Sequence, residues 1–102
     1  MSDIGFSPEG KTATFSFQGR MDGMTSPAAE QFVSERLAAL PGPDHRVVFD
    51  LRKVDYVSSA FLRLCVMTAQ RVGGSRMAVV NTSPMVKKIF TMAGLGGAFE
   101  IG

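Results

Sequence analysis

Apolar and polar positions alternate at the start of the chain. Ile4 and Phe6 stand among small or polar neighbours, and Pro8 and Gly10 in "SPEGK" give a turn. In "TATFSF", Ala13, Phe15 and Phe17 fall on one face and Thr12, Thr14 and Ser16 on the other. This period of two predicts a hairpin with one buried face. "QGRMDGMTS" reads as a loop, with Ser26 as the N-cap of a helix and Pro27 at its first position. Phe32, Val33, Leu37 and Leu40 recur at helical spacing, and "PGPD" ends the helix because proline breaks the backbone ladder.

"RVVFDL" is a short continuous apolar run and predicts a strand covered on both faces. "RKVDYV" reads as a connection or a brief extended segment. Good helix formers run from Ser59 to Val72, and "GGS" stops them. "RMAVVN" is a second apolar strand. Ser83 and Pro84 repeat the cap-and-proline device and open a helix through Ala93, with Met85, Ile89, Met92 and Val86, Phe90, Ala93 as two adjacent apolar rows. Gly94 is the expected stop, and "AFEI" is a final short strand or an extended tail. The order β-β-α-β-α-β-α, with or without a last β, predicts an α/β domain with a parallel sheet core and helices packed on it.

Composition narrows the function classes. The 102 residues are 45% hydrophobic and 20% charged, with a net charge of +2 and no block of like charges. One domain of this length buries a core without staples. No arginine-rich arm marks a nucleic-acid footprint, and no apolar run approaches the roughly 18 residues of a membrane span. With one cysteine, Cys65, no intrachain disulfide forms and a zinc site is not expected. A cytoplasmic setting is expected.

A catalytic constellation is also missing. His45 is the one histidine and sits in a proline-rich turn beside Asp44, far along the chain from the serines at the start of the second helix. Cys65 falls on the buried side of that helix and reads as a small core residue. Gly94, Gly96 and Gly97 follow a helix instead of opening one, so they are not a dinucleotide fingerprint. The expectation is a protein that is not an enzyme and holds no cofactor or metal.

The remaining signal is "DYVSSAFLRL", from Asp55 to Leu64. Stepping about 100° per residue from Ser59 puts Arg63 near 40°, Gln70 near 20° and Met67 near 80°, with Phe61 near 200° in the apolar arc. Ser59 therefore lies on the polar face, in the first turn. Ser58 precedes it as the expected N-cap, its hydroxyl accepting from a first-turn amide. A helix N-terminus tolerates a dianion through its free N–H groups and its dipole. Phosphate on Ser59 costs the fold little yet adds about 1.5–2 negative charges to the surface.

"VVFDLRKVDYVSSAFLRLC" resembles the central segment of STAS domains, the fold of bacterial anti-sigma factor antagonists. "FQGRMD" resembles the family's Gly-x-Leu/Ile-Asp segment, "SSAFL" its Asp/Ser-Ser-x-Gly-Leu phosphorylation motif, and "GGSRMAVVNTSPMVKKIFTMAGLGGAFEI" its closing strand, helix and tail. The likeness covers nearly the whole chain. It implies a SpoIIAA-like fold, with a mixed sheet of about four to five strands, an N-terminal hairpin and about three to four helices.

The resemblance also implies a function: binding an anti-sigma factor that is a serine kinase, inactivation by phosphorylation of the motif serine, and restoration by a phosphatase. Aligning the motif puts that serine at Ser59. Asp22 matches the family's acidic residue near the site, and Ser58 stands where some members carry Asp. Met21, Asp22, Met24, Ser58, Ser59, Phe61, Arg63 and Met67 form the expected partner surface, on a monomer or weak homodimer. Phe61 departs from the pattern, replacing the family's glycine. The competing expectation is a STAS scaffold without phosphorylation, as a subunit of a lipid-transport ATPase complex or a module of a sensory assembly.

Overall fold

The alternation in "TATFSF" sets which face of the sheet is buried. Ala13, Phe15 and Phe17 are buried, whereas Thr12 and Thr14 are half-buried and Ser16 is exposed. The computed structural model describes residues 4–40 and 45–102. Its elements are β1 (Gly5–Glu9), β2 (Thr12–Met21), α1 (Ser26–Ala39), β3 (Arg46–Val57), α2 (Ser59–Val72), β4 (Met77–Val80), α3 (Pro84–Met92) and β5 (Glu100–Ile101). The strands lie in the order β1-β2-β3-β4-β5. The β1–β2 hairpin is antiparallel and the other three pairings are parallel.

Each crossover advances one strand in the same direction. The right-handed rule for such connections then places α1, α2 and α3 on one face of the sheet. Burial follows this arrangement. On β3, Val47, Phe49 and Leu51 are fully buried, while Val48 and Asp50 are half-buried and Arg52 is exposed. The expectation that "RVVFDL" is covered on both faces is thus corrected, because all three helices lie on one side. On the uncovered face, an Arg46–Glu100 ion pair at 3.8 Å spans β4.

Phenylalanines tie the layers together. Phe15 and Phe17 of β2 pack edge-on against Phe49 of β3, with ring centroids 5.8 and 4.9 Å apart. Phe61 of α2 joins them at 5.2 Å from Phe17. Such aromatic pairs contribute roughly 0.5–1.5 kcal/mol each beyond area burial.

Two segments differ from the sequence expectation. "QGRMDGMTS" is not all loop, because β2 continues through Met21. "RKVDYV", expected as a connection or a brief extended segment, is extended and forms the second half of a 12-residue β3. The two extensions pair with each other, Gly19 opposite Val54 and Met21 opposite Val57, with register breaks between Ser16 and Gln18 and between Gly19 and Arg20. Gly19 has φ of +80°, a conformation open to glycine and costly for other residues, so it absorbs the second break. Polar Lys53 and Asp55, on either side of buried Val54, are exposed.

The helix starts also differ. α1 begins at Ser26 with Thr25 as its N-cap, so Ser26 is one position inside the helix and its buried hydroxyl has no partner. Its last helical residue is Ala39, and the "PGPD" segment, 41–44, lies outside the described residues. At α3 the expected cap is present: Val86 N–H donates to Ser83 Oγ at 3.2 Å. Gly94, at φ of +78°, follows α3 in the left-handed conformation of a helix stop. Of the two apolar rows on α3, Val86 and Phe90 are buried, but Met85 and Met92 are exposed. Cys65 is fully buried, and the loss of water around it pushes its thiol pKa far up.

Candidate functional site

The end of β3 delivers the chain to α2 with almost no connection. Val57 is the last strand residue, Ser58 is the N-cap, and Ser59 is the first helical residue. This places Ser59 at the rim of the sheet, exposed, in the first turn of a 14-residue helix. Arg63 and Met67 follow at intervals of four, which brings them onto the same face. Both are exposed, Met67 by 46%. Met67 borders a shallow groove between α1 and α2 with Val33, Leu37 and Leu64 along it.

Ser58 does not do what its position suggests. Its backbone is extended, as at an N-cap, but its hydroxyl makes no capping bond and is buried without a partner. Its N–H instead donates to Met21 O at 2.9 Å, while its carbonyl accepts from Leu62 N–H at 3.0 Å. The bond to Met21 anchors the Ser58 backbone to the end of β2, while its hydroxyl lies buried. The expected Ser58 cap is therefore corrected, and the first-turn amides of α2 lack a side-chain acceptor from their N-cap.

The same Met21 bond draws the Asp22 turn beside the helix start. Asp22 Oδ1 accepts from the N–H groups of Met24 at 2.9 Å and Thr25 at 3.1 Å. Thr25 Oγ1 accepts from Asp22 N–H and donates to Arg20 O, each at 2.9 Å. Arg20 lies 3.6 Å from Asp22 Oδ2 and stacks 4.3 Å over the Tyr56 ring. The Met24 N–H, and then that of Thr25, lower the Asp22 pKa from its ordinary value, with Arg20 a minor contributor. Asp22 is thus a fixed negative charge close to the start of α2. Arg20, Tyr56 and Thr25 were missed in the sequence. The three-residue spacing from Asp22 to Thr25, with Gly23 between, is the turn signal that identifies Thr25.

Two expected surface residues are not at the surface. Met21 is 4% exposed and Phe61 is fully buried. Met21 is the last residue of β2, its side chain on the helix-covered face. Phe61 lies beneath the α2 start against Phe17 and, at 6.2 Å, Phe49. The remaining expected residues divide by exposure: Asp22 is half-buried, Ser59 and Arg63 are exposed, and Met24 is 90% exposed at the turn. No group of three metal-ligating side chains occurs among the described residues. No helix among them is long and apolar enough to cross a membrane.

Known proteins share this architecture. The family model described as "Mlab, STAS domain" matches residues 4–101. A putative anti-sigma factor antagonist, BtrV of Bordetella bronchiseptica, is 30% identical over 80 residues, which is 76% of this chain and 69% of the relative. The crystal structure of an anti-sigma factor antagonist from Mycobacterium paratuberculosis superposes with a TM-score of 0.84 at 22% identity, over 99% of this chain and 85% of that one. The unphosphorylated form of the anti-sigma factor antagonist SpoIIAA gives 0.79 at 16% identity, over 97% and 87%. These structures share the SpoIIAA-like fold, a five-stranded mixed sheet with three helices here. The chain belongs to the STAS domain family, among relatives named anti-sigma factor antagonists.

Proposed function

We infer that the chain is an anti-sigma factor antagonist whose partner surface is centred on Ser59 and is switched off by phosphorylation there. The observation that carries the reading is the contrast between two adjacent hydroxyls. Ser59 is exposed at a helix start, and that of Ser58 is buried. A kinase reaches the first and not the second.

The mechanism needs no catalytic group in this chain. An anti-sigma factor that is also a serine kinase docks over Ser59, Arg63, Met67, Met24 and Asp22, and its ATP supplies the phosphoryl group. Ser59 Oγ attacks the terminal phosphorus, ADP leaves, and the serine proton passes to a base of the kinase. The phosphoserine dianion sits over the first-turn amides of α2, which accept it without disturbing the fold. The same dianion brings repulsion and desolvation cost to the docking surface, and losing a few kcal/mol there weakens binding by ~10²-fold or more. A phosphatase reverses the modification. The setting this requires is cytoplasmic, with the chain a monomer or weak homodimer.

A second reading is a scaffold subunit that docks through the same patch and is never phosphorylated, within a lipid-transport ATPase complex or a sensory assembly. It is favoured by the matched family model, whose description names Mlab. Incubation with candidate kinases and ATP, followed by phosphosite mapping by mass spectrometry, separates the two. A single phosphate on Ser59 supports the switch. Its absence with the cognate kinase overturns the switch and leaves the scaffold.

A further inference from the structure

The uncovered face of the sheet has a local irregularity that gathers charge. Ser16 pairs with Asp50 and Gln18 with Lys53, so Phe17 alone stands opposite both Leu51 and Arg52. In a regular strand, consecutive side chains such as Arg52 and Lys53 point to opposite faces. The extra residue in β3 breaks that alternation. Arg52 and Lys53, both exposed, line one open groove of about 350 Å³ together with Gly5, Ser16, Gln18 and Asp50.

Asp50 forms no ion pair within 4.0 Å with either cation. Its Oδ1 accepts from Arg52 N–H at 3.0 Å and from Asn81 Nδ2 at 3.1 Å. Among the described residues, no ion pair involves the side chain of Arg52 or Lys53. Asn81 holds Asp50 from the end of β4 with φ of +58°, the one non-glycine residue at positive φ among those described.

We propose that this groove binds the phosphate monoester of a small hydroxylated molecule. The planar Arg52 guanidinium and the Lys53 ammonium meet the phosphate oxygens, and Ser16 Oγ adds a hydroxyl donor. Asp50 accepts from a hydroxyl of the ligand body. The volume is at the small end of ligand sites, which start near 300 Å³. The groove lies on the sheet face opposite the helices, so it is separate from the Ser59 surface.

The test is a titration of isotope-labelled protein with glycerol 3-phosphate, followed by amide chemical shifts at constant ionic strength, with sodium chloride and glycerol as controls. Saturable shifts at Ser16, Gln18, Arg52 and Lys53 with a dissociation constant of about 1 mM or tighter support the site. The double variant Arg52→Gln/Lys53→Gln weakens binding at least about tenfold, and shifts elsewhere stay in place because both positions are exposed. Ser59→Asp leaves the affinity unchanged. Shifts reproduced by either control, shifts centred on the start of α2, or undiminished binding by the double variant overturn the proposal.

Discussion

The starts of α2 and α3 carry the same local signal and resolve it differently. Each is a serine in extended backbone just before the first helical residue. Ser83 accepts from Val86 N–H and caps α3, whereas Ser58 donates its own N–H to Met21 O and buries its hydroxyl without a partner. The difference comes from tertiary context. The β2–β3 ladder runs on to the pair Met21–Val57, and Met21 O takes the N–H of Ser58, whereas Ser83 follows a strand that ends at Val80. An N-terminus whose serine caps it is closed to other acceptors. An N-terminus whose serine does not cap it keeps its amides for an incoming anion, and under the proposed function the neighbouring exposed hydroxyl of Ser59 is the phosphate acceptor.

The largest test of this contrast removes the support beneath α2. Phe61→Ala is expected to lower unfolding stability by about 3–5 kcal/mol in a denaturant titration, because a fully buried ring leaves a cavity between α2 and the sheet. Phe61→Gly, which restores the residue of the family motif, costs at least as much. A loss near zero would mean that the ring belongs to a docking surface after all.

Next in size is the functional half of the comparison. Ser59→Asp is expected to weaken partner binding by ~10²-fold, about 2.7 kcal/mol, in calorimetry with the cognate anti-sigma factor. The unfolding midpoint should move little, as for other exposed substitutions. Ser59→Ala retains binding and resists kinase inactivation; if it loses binding, the hydroxyl is structural.

A smaller effect separates the two N-caps directly. Ser83→Ala removes a cap and should cost about 1 kcal/mol. Ser58→Ala removes a buried hydroxyl that lacks a partner, so it should be neutral or stabilising by up to about 1 kcal/mol. Equal losses at the two positions would erase the distinction.

The smallest expected effect is the acid limb of stability. The N–H groups of Met24 and Thr25 lower the Asp22 pKa in the folded state. The folded state then binds its proton less readily than the unfolded chain. Its contribution is present above the ordinary value of 3.8 and is lost as pH falls through the depressed folded value. Asp22→Asn should flatten the stability profile in that acid range and leave its slope near neutrality unchanged.

The sequence revealed some of these features and concealed others for physical reasons. The bounds of α2 were legible, because helix formers run unbroken from Ser59 to Val72 before two glycines. So was the exposure of Ser59, which follows from helical period alone. "RKVDYV" was legible only as a connection or a brief extended segment and not as half of β3, since Lys53 and Asp55 at exposed positions mask the pairing of Val54 and Val57. Met21 looked like a loop residue because Gly19 and Gly23 flank it, yet the parallel ladder carries it into the core. Ser58 read as a cap because its sequence position is that of an N-cap, while its backbone partner, Met21 O, lies 37 positions earlier and becomes a neighbour only through the sheet. Local signals identified most elements and the Ser83 cap, whereas the buried Ser58 hydroxyl sits beside a β2–β3 ladder that local signals do not reveal.

The most direct test of the account is the affinity of the cognate anti-sigma factor for the unmodified protein and for protein phosphorylated stoichiometrically by its kinase, with the site mapped on the same sample. The account predicts a single phosphate on Ser59, none on Ser58, and affinity reduced by ~10²-fold or more with the fold retained. Phosphate on Ser58, or equal affinity of the two forms, would contradict it.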